Sequence, residues 1–466
     1  MQLDQSIFKA YDIRGIVGKS LDEDVFYAIG AAMGEVYLAE GQSRVLVACD
    51  GRTSSPSFKS ALIEGLAAHP LEILDIGEAA SPVAYFGAAR FTDGNALVVT
   101  ASHNPKQYNG LKVMLKHLPF HGEELKTLGL AAAKIIPERR PVAGLVRTRD
   151  ISQTYIDRFY SGIRMQRKVR LALDCGNGIT GPIAAKILER LNCEVFPLFT
   201  EVDGDFPNHE ADPSKAKNLE QLVRCVRDNA CEIGIAFDGD GDRVGVVTSK
   251  GKLIYPDRLL MLFARAILAN QPGAPVVYDI KCSRRLTQVI EQAGGVPMME
   301  PTGHSFIQSA IMRNKAPVGG EMSGHIFFND GRGIGFDDGM YAAARLLEIV
   351  SAHPDATALL EALPDAVNTP EIQIPVEEGA AHAIVERMQR EARFAENPEI
   401  KTIDGIRLDF ADGFALCRAS NTTPIIVIRM EGDNPAALRR IAGILADGLE
   451  PFLEGIGQTI RNQACL

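Results

Sequence analysis

The sequence predicts an α/β protein of several domains that closes in a smaller α+β unit. Short, β-branched-rich apolar runs recur along most of the chain, and apolar residues at helical spacing follow most of them. Strands that alternate with helices in this way form a mostly parallel sheet with helices packed on it. Near the C-terminus the rhythm changes, and three strands follow one another with no helix between them. The 466 residues leave room for about three or four domains with cores of their own.

In chain order, apolar residues at 21, 25, 29, 33, 36 and 37 mark a helix over 21–38. A strand over 44–49, a helix over 57–68, a strand over 71–76 and a helix opened by Ser81-Pro82 lead to a buried strand, Ala96-Leu97-Val98-Val99. Basic residues and prolines at 137–141 mark the approach to a boundary. A second unit opens near Ile151, with strands over 169–174, 194–198 and 232–237 and helices over 182–191 and 217–229. A third opens near Pro256, with strands over 275–280 and 296–300, helices over 283–292 and 303–315, and a strand from Pro317-Val318 into a glycine pair. The last unit has a helix over 380–391, strands over 405–410, 413–417 and 425–430, and a helix over 435–450.

Composition narrows the function. A net charge of −10 argues against nucleic acid and anionic membranes as partners, since both demand a basic face. With no tryptophan and 6% aromatic residues, platforms for stacking single-stranded bases are scarce. The eight cysteines are scattered without a C-x-x-C pair, as expected of reduced cytosolic thiols. The opening MQLDQSIFKAYD lacks the basic and apolar regions of a leader, and nowhere do apolar residues run together for a membrane span. The expectation is a soluble cytoplasmic protein.

Four stretches carry chemistry. Ser102-His103-Asn104-Pro105 follows the strand ending at Val99, and a hydroxyl at the carboxyl end of such a strand is placed to accept a phosphoryl group. The competing reading is a plain Asx or proline turn. Asp238, Asp240 and Asp242, spaced by glycines directly after a buried strand, offer an all-oxygen pocket suited to Mg²⁺. An EF-hand is excluded, because Arg243 stands where the loop needs glycine and Ser249 where it needs glutamate. An aspartyl-phosphate nucleophile and a solvated acidic turn remain as alternatives. Gly319-Gly320-Glu321-Met322-Ser323-Gly324-His325 sets an acceptor and a donor, Glu321 and Ser323, against neighbouring hydroxyls such as a sugar's, or else forms a bulged strand end. Arg418-Ala419-Ser420-Asn421-Thr422-Thr423-Pro424 can cradle a phosphate or form an ordinary turn between strands. A fifth stretch, Gly176-x-Gly178-x-x-Gly181, has dinucleotide-fingerprint spacing, but the acidic residue expected at the end of the next strand is not cleanly placed. A tight strand-to-helix turn explains its glycines.

Together TASHNP, DGDGDR, GEMSGH and RASNTTP, in that order and one per unit, resemble the α-D-phosphohexomutase family, in its bacterial phosphomannomutase/phosphoglucomutase branch. FKAYDIRG near the start and KQYNGLK around Lys112 fit as well, so the resemblance spans essentially the whole chain. It implies three similar mixed α/β domains and a TATA-binding-protein-like α+β domain around a central cleft, divided here at 1–150, 151–254, 255–366 and 367–466. It implies that Ser102 is phosphorylated and that Asp238, Asp240 and Asp242 hold Mg²⁺ against it. Glu321 and Ser323 would bind sugar hydroxyls; Arg418, Ser420, Asn421 and Thr422 would bind the phosphate that does not react. Tyr11, Arg14, Lys112, Arg243, Lys281, His304 and His325 match further cleft positions. Among these Arg14, Lys112 and His304, with His325, are the candidates for proton transfer, and Arg243 for steadying the transferring group. The reaction implied is interconversion of hexose 1- and 6-phosphates of mannose or glucose, with hexose 1,6-bisphosphate as intermediate and activator. Small hexose phosphates are then the partners, and the chain is expected to be a monomer or weak oligomer. Phosphoglucosamine mutase, sugar-phosphate phosphatase and a catalytically idle sugar-phosphate-binding protein are the alternatives.

Overall fold

Each of the four motifs lies in the turn between two antiparallel neighbours. Ala96–Val99 pairs with Tyr108–Leu115, Ile233–Phe237 with Val244–Thr248, Val318–Gly320 with Ile326–Phe328, and Gly413–Ala419 with Ile425–Gly432. The computed structural model describes residues 3–136, 143–377, 379–421 and 423–464, so the approach to a boundary read at 137–141 lies outside the described residues.

The first sheet has seven strands in the order Ile13–Ile16, Tyr108–Leu115, Ala96–Val99, Arg44–Cys49, Glu72–Glu78, Leu145–Thr148, with Leu118–Pro119 added to Tyr108–Leu115. Its centre is parallel, but Tyr108–Leu115 runs antiparallel to both neighbours, which corrects the mostly parallel expectation to a mixed sheet. The second sheet orders Leu253–Ile254, Val244–Thr248, Ile233–Phe237, Val169–Asp174, Cys193–Leu198, and the third Val296–Glu300, Pro275–Asp279, Val318–Gly320, Ile326–Phe328. Both repeat the design of parallel strands with an antiparallel strand returning from the motif. The last sheet is antiparallel throughout.

Local chemistry sets the helix starts. Asp22 caps Glu23–Ala39 by accepting from the Val25 N–H at 2.9 Å, and Asn434 caps Pro435–Leu449; each satisfies amides that the first turn leaves free. The helix Gly339–Ser351 is one the sequence pattern did not announce. Buried residues occupy most of it, so it carries no polar stripe for a periodicity argument to find. It packs on Ile326–Phe328 of the third sheet and on Val244–Thr248 of the second.

One apolar cluster runs continuously from Leu46 and Val98 through Leu171, Ile235 and Tyr278 to Leu347. The first three units are thereby welded through a common core. The C-terminal unit has its own and meets the rest through the small contact of Ile280 with Phe414 and Leu416 and through polar bonds such as Ser283 Oγ to Glu431 at 2.8 Å. Among the described residues no helix is long and apolar enough to cross a membrane.

Candidate active site

Because the four turns converge, the predicted residues share one cleft of about 650 Å³. Tyr11, Arg14, Ser102, Lys112, Arg243, Lys281, His304, Glu321, Ser323, His325, Arg418, Ser420 and Asn421 all line it. Thr422 lies outside the described residues. Asp238, Asp240 and Asp242 sit beneath the cleft floor, fully buried.

Ser102 has a left-handed backbone with φ 51°, an uncommon conformation for a residue with a Cβ. Two anchors hold it there. Its N–H donates to Thr100 Oγ1 at 2.9 Å, and its carbonyl accepts from Arg52 Nη2 at 2.8 Å. Its Oγ donates to Asp238 Oδ2 at 2.7 Å and lies 3.1 Å from His103 Nδ1. The metal-type loop presses directly against it: a Cβ on Gly239 would come within 2.5 Å of the Ser102 carbonyl oxygen.

Arg52 was not singled out in the sequence, and the structure gives it all five donors filled. Nε donates to Asp50 at 3.2 Å, Nη1 to the carbonyls of Pro105 and Tyr108 at 3.0 and 3.1 Å, and Nη2 to those of Ser102 and Asn104 at 2.8 and 2.6 Å. One guanidinium therefore braces the whole turn. Arg14 supports it from another side, donating to the Ala101 carbonyl at 2.7 Å and pairing with Asp12 at 2.8 Å. The available signal was position: Asp50-Gly51-Arg52 follows the carboxyl end of Arg44–Cys49, the parallel neighbour of Ala96–Val99.

Each aspartate of the cluster offers an oxygen within 4.8 Å of the others. Lys112, carried on Tyr108–Leu115, donates to Asp240 at 2.6 Å and to Asp242, while Ser81 Oγ donates to Asp240 at 2.6 Å. Burial and the two neighbouring carboxylates raise Asp238 well above the usual range. Burial pushes Asp242 the same way, but Lys112 and His325 outweigh it and hold Asp242 well below. Asp240 Oδ1 is buried with no hydrogen-bond partner among the described residues. Three crowded carboxylates, an orphaned oxygen and a hydroxyl at Asp238 fit a hard divalent cation.

On the facing turn His325 knits the sugar-type motif to the acidic one. Its Nδ1 lies 2.8 Å from Glu321 and its Nε2 3.2 Å from Asp242. Burial opposes the imidazolium, but these carboxylates, Asp242 foremost, push its pKa up to about 10. Burial likewise opposes ionised Glu321, and His325 reverses this, holding it at about 2. Glu321 Oε1 also accepts from the Gly303 N–H at 2.7 Å, and Ser323 Oγ lies 2.9 Å from His325 Nδ1. His304 opens the helix His304–Asn314; burial, then Lys112 and His325, drive its pKa well below the ordinary imidazole value. Asp337, another residue the sequence reading did not select, is buried beside His325, and burial and Asp242 lift its pKa to about 7.

In the C-terminal turn Arg418 Nε donates to Asp404 at 2.9 Å, and among the described residues its buried Nη2 has no hydrogen-bond partner. Asn421 reaches the Thr302 carbonyl at 3.3 Å, and Ser420 Oγ lies 3.0 Å from Thr423 Oγ1. Lys281 pairs with Glu371 at 2.9 Å. The 176–181 glycines serve packing: a Cβ on Gly178 would stand 2.8 Å from the Gly239 carbonyl oxygen, and Ile179 N–H donates to that same oxygen at 3.0 Å. The turn buttresses the acidic loop, so the space a dinucleotide phosphate would need is filled.

Comparison with known proteins agrees with this geometry. A solved structure of a phosphoglucomutase/phosphomannomutase family protein from Burkholderia thailandensis superposes with a TM-score of 0.91 at 43% identity, covering 97% of this chain and 99% of that one. Such a fold, with its four turns around one cleft, defines a phosphohexomutase. Four family models, described as phosphoglucomutase/phosphomannomutase alpha/beta/alpha domains I, II and III and C-terminal domain, match residues 5–135, 153–251, 255–367 and 371–448. A phosphoglucomutase of Neisseria gonorrhoeae is 46% identical, covering 94% of this chain and 95% of its own length. A phosphomannomutase/phosphoglucomutase of Pseudomonas aeruginosa is 44% identical with 96% of each chain covered. The chain belongs to the phosphoglucomutase/phosphomannomutase family.

Proposed function

We propose that this chain interconverts hexose 1-phosphates and hexose 6-phosphates of glucose and mannose by way of a phosphorylated Ser102. The observation that carries the reading is the shared cleft: a buried hydroxyl 2.7 Å from a carboxylate cluster opens onto the same cavity as Glu321 and Ser323 on one side and Arg418, Ser420 and Asn421 on another. That is one reactive group and two recognition surfaces.

Asp238, Asp240 and Asp242 would hold Mg²⁺, which when bound offsets the charge of about −1.5 to −2 that a phosphoserine carries near pH 7. The residues of the chain do the rest. A substrate hydroxyl attacks the phosphorus of phosphoserine 102; the new bond forms to the sugar oxygen as the bond to Ser102 Oγ breaks. His304, kept neutral by burial, is suited to take the hydroxyl proton. Lys112 is held cationic by Asp240 and Asp242 against the cost of burial, which suits it to stabilising charge. Arg243 lies beside it, with Nε 3.8 Å from Asp238. The resulting hexose 1,6-bisphosphate turns end for end and returns its other phosphoryl group to Ser102. Throughout, Arg418, Lys281, Ser420 and Asn421 would grip the phosphate that is not reacting, and the Arg418 Nη2, without a hydrogen-bond partner among the described residues, is the donor left for it. Added hexose 1,6-bisphosphate would act as activator by restoring phosphoserine after intermediate is lost.

One chain supplies every group named here, so the proposed reaction needs no second copy. All seven described cysteines are free thiols, which supports a reducing, cytoplasmic setting. The test is ³¹P NMR with Mg²⁺, glucose 1-phosphate and a trace of glucose 1,6-bisphosphate. Glucose 6-phosphate is the expected product, and Ser102→Ala should bind sugar phosphate without converting it. Inorganic phosphate as sole product would make the protein a phosphatase, and turnover by Ser102→Ala would remove the covalent scheme.

A further inference from the structure

The C-terminal sheet turns one face to its own core and the other to the third unit. Ile406, Leu408, Cys417 and Ile428 belong to that core, and side chains alternate along a strand, so Arg407, Leu416 and Arg429 stand on the opposite face. They form one row across three paired strands. Arg407 is nonetheless fully buried. Burying a guanidinium is costly unless its donors are taken up. Here Nη1 donates to the carbonyls of Ile280 and, at 2.8 Å, Cys282, and Nε donates to Asp409 at 3.0 Å. The Phe414 ring covers the group, its centroid 3.8 Å away. Arg429 Nη1 takes the carbonyl between those two, that of Lys281. Two guanidiniums of one unit therefore hold three successive carbonyls of another, and the adjoining Ser283 hydroxyl donates to Glu431 at 2.8 Å.

We propose that Arg407 is a positioning residue for the cleft: by fixing the backbone on either side of Lys281, it sets the Lys281 ammonium at the phosphate that Arg418 grips. Arg407 has no exposed surface, so any effect it has on a substrate passes through what it holds. Lys281 lines the cleft and gives one of its three donors to Glu371 at 2.9 Å. Arg418 lines the same cleft and lies two residues along the central strand from Leu416, on the clamping face. The two cations come from different units, Lys281 from the third and Arg418 from the fourth. The apolar contact between those units is small there, Ile280 against Phe414 and Leu416, so the arginine clamp fixes how far apart the cations stand. A phosphate bridged by both depends on that separation, because charge-assisted hydrogen bonds are short and geometrically exacting. On the mutase reading, on which this role rests, that phosphate is the one that does not react. It is held alike before and during the transfer, so misplacing Lys281 raises KM and leaves kcat.

Full-length Arg407→Met and Arg407→Lys, each alone and combined with Lys281→Ala, are compared with wild type by steady-state kinetics on glucose 1-phosphate with Mg²⁺ and a trace of glucose 1,6-bisphosphate. Calorimetry of glucose 1-phosphate binding follows on the same set carrying Ser102→Ala. Arg407→Met should raise KM and Kd about tenfold, the worth of one charge-assisted hydrogen bond, with kcat within about twofold. A protein that is only destabilised loses active molecules, which lowers kcat and leaves KM. Arg407→Lys keeps the charge without the fork; it should recover part of the loss, and it stands alone if the methionine variant does not fold. In the Lys281→Ala background either substitution should change Kd by no more than about twofold, since the residue through which Arg407 acts is already gone. Wild-type KM and Kd in Arg407→Met, or in Arg407→Lys where it stands alone, would overturn the proposal. So would a fall in kcat alone, or the full loss repeated on top of Lys281→Ala. Glucose 1-phosphate that binds but is not converted by wild type would remove the mutase reading and leave the calorimetric comparison to decide the role of Arg407; no binding at all would remove both.

Discussion

Replacing Arg52 by alanine removes four hydrogen bonds to the carbonyls of one turn and a fifth to the Asp50 carboxylate. Not all are lost for good. The carbonyls of Pro105 and Tyr108 belong to residues that are partly exposed, so water replaces the guanidinium there. The carbonyl of Ser102, a residue 1% exposed, and the carboxylate of Asp50, a residue 2% exposed, have no such access. Stranding a buried carbonyl costs about 1–3 kcal/mol, and breaking a buried ion pair from one side about 3–5 kcal/mol. Ser55 Oγ and the backbone N–H of residue 52 still reach Asp50, which keeps the sum near the lower end, about 4 kcal/mol. The functional effect should exceed what lost stability alone would give. Ser102 holds φ 51° because its carbonyl and its amide are both tied, and with the carbonyl released the turn relaxes. A misplacement of about 1 Å at a reacting group costs about 10²-fold in rate. The assay is steady-state kinetics on folded Arg52→Ala, with kcat falling by that order while KM moves little. Guanidinium ion added to the buffer should recover part of the loss, and Arg52→Lys should not match wild type, since three donors on a point charge cannot reach the same four carbonyls. Unchanged kcat in folded Arg52→Ala would refute the reasoning.

The other expectations are more direct. Gly239→Ala should cut turnover sharply while leaving the fold, because the new methyl would meet the Ser102 carbonyl at 2.5 Å; kinetics and a thermal melt separate the two effects. Chelation of divalent cations should abolish turnover reversibly with little change in melting, since the apolar core that joins the first three units does not depend on the aspartates. Histidine NMR of the metal-free, dephosphorylated protein should find His304 neutral at pH 7 and His325 still protonated there, losing its proton only near pH 10. Because the His325 pKa is raised by folding, its contribution to stability is full below its unfolded value near 6.5 and fades as pH rises through about 10. A His325 that titrates near pH 6.5 would remove the ion-pair account of this turn.

Local features were legible in the sequence and distant ones were not. Ser102 and the three aspartates each follow a buried strand and sit in a turn rich in glycine or proline, so strand, turn and chemistry are read in a dozen residues. Two of the returning strands were missed because their patterns are weak: Ile326–Phe328 has three residues, and Tyr108–Leu115 begins with polar residues and a glycine. Gly339–Ser351 was missed for the opposite reason, being buried on nearly every side. Arg52 and Asp337 act on partners about 50 and 12 positions away in sequence, and periodicity carries no information about such pairs. Lys112 was found by its place in a motif, but its contact with Asp240 and Asp242, across two sheets, needed the structure.

That contact also bears on how a chain of net charge −10 can receive an anionic sugar phosphate. Charge in the cleft is layered. The acidic groups lie deepest, with Asp238, Asp240, Asp242 and Asp337 fully buried, and Lys112, Arg243 and His325 are interposed between them and the cavity. Arg14, Lys281 and Arg418 add positive charge along the walls. An approaching phosphate therefore meets cations first, and the carboxylates act on it only through what they hold in place. The segregation also explains why Lys112 and His325 are tied so firmly. Each pairs with buried acids that strengthen its charge, and a cation fixed in advance stabilises a transferring phosphoryl group without having to reorganise as the reaction proceeds.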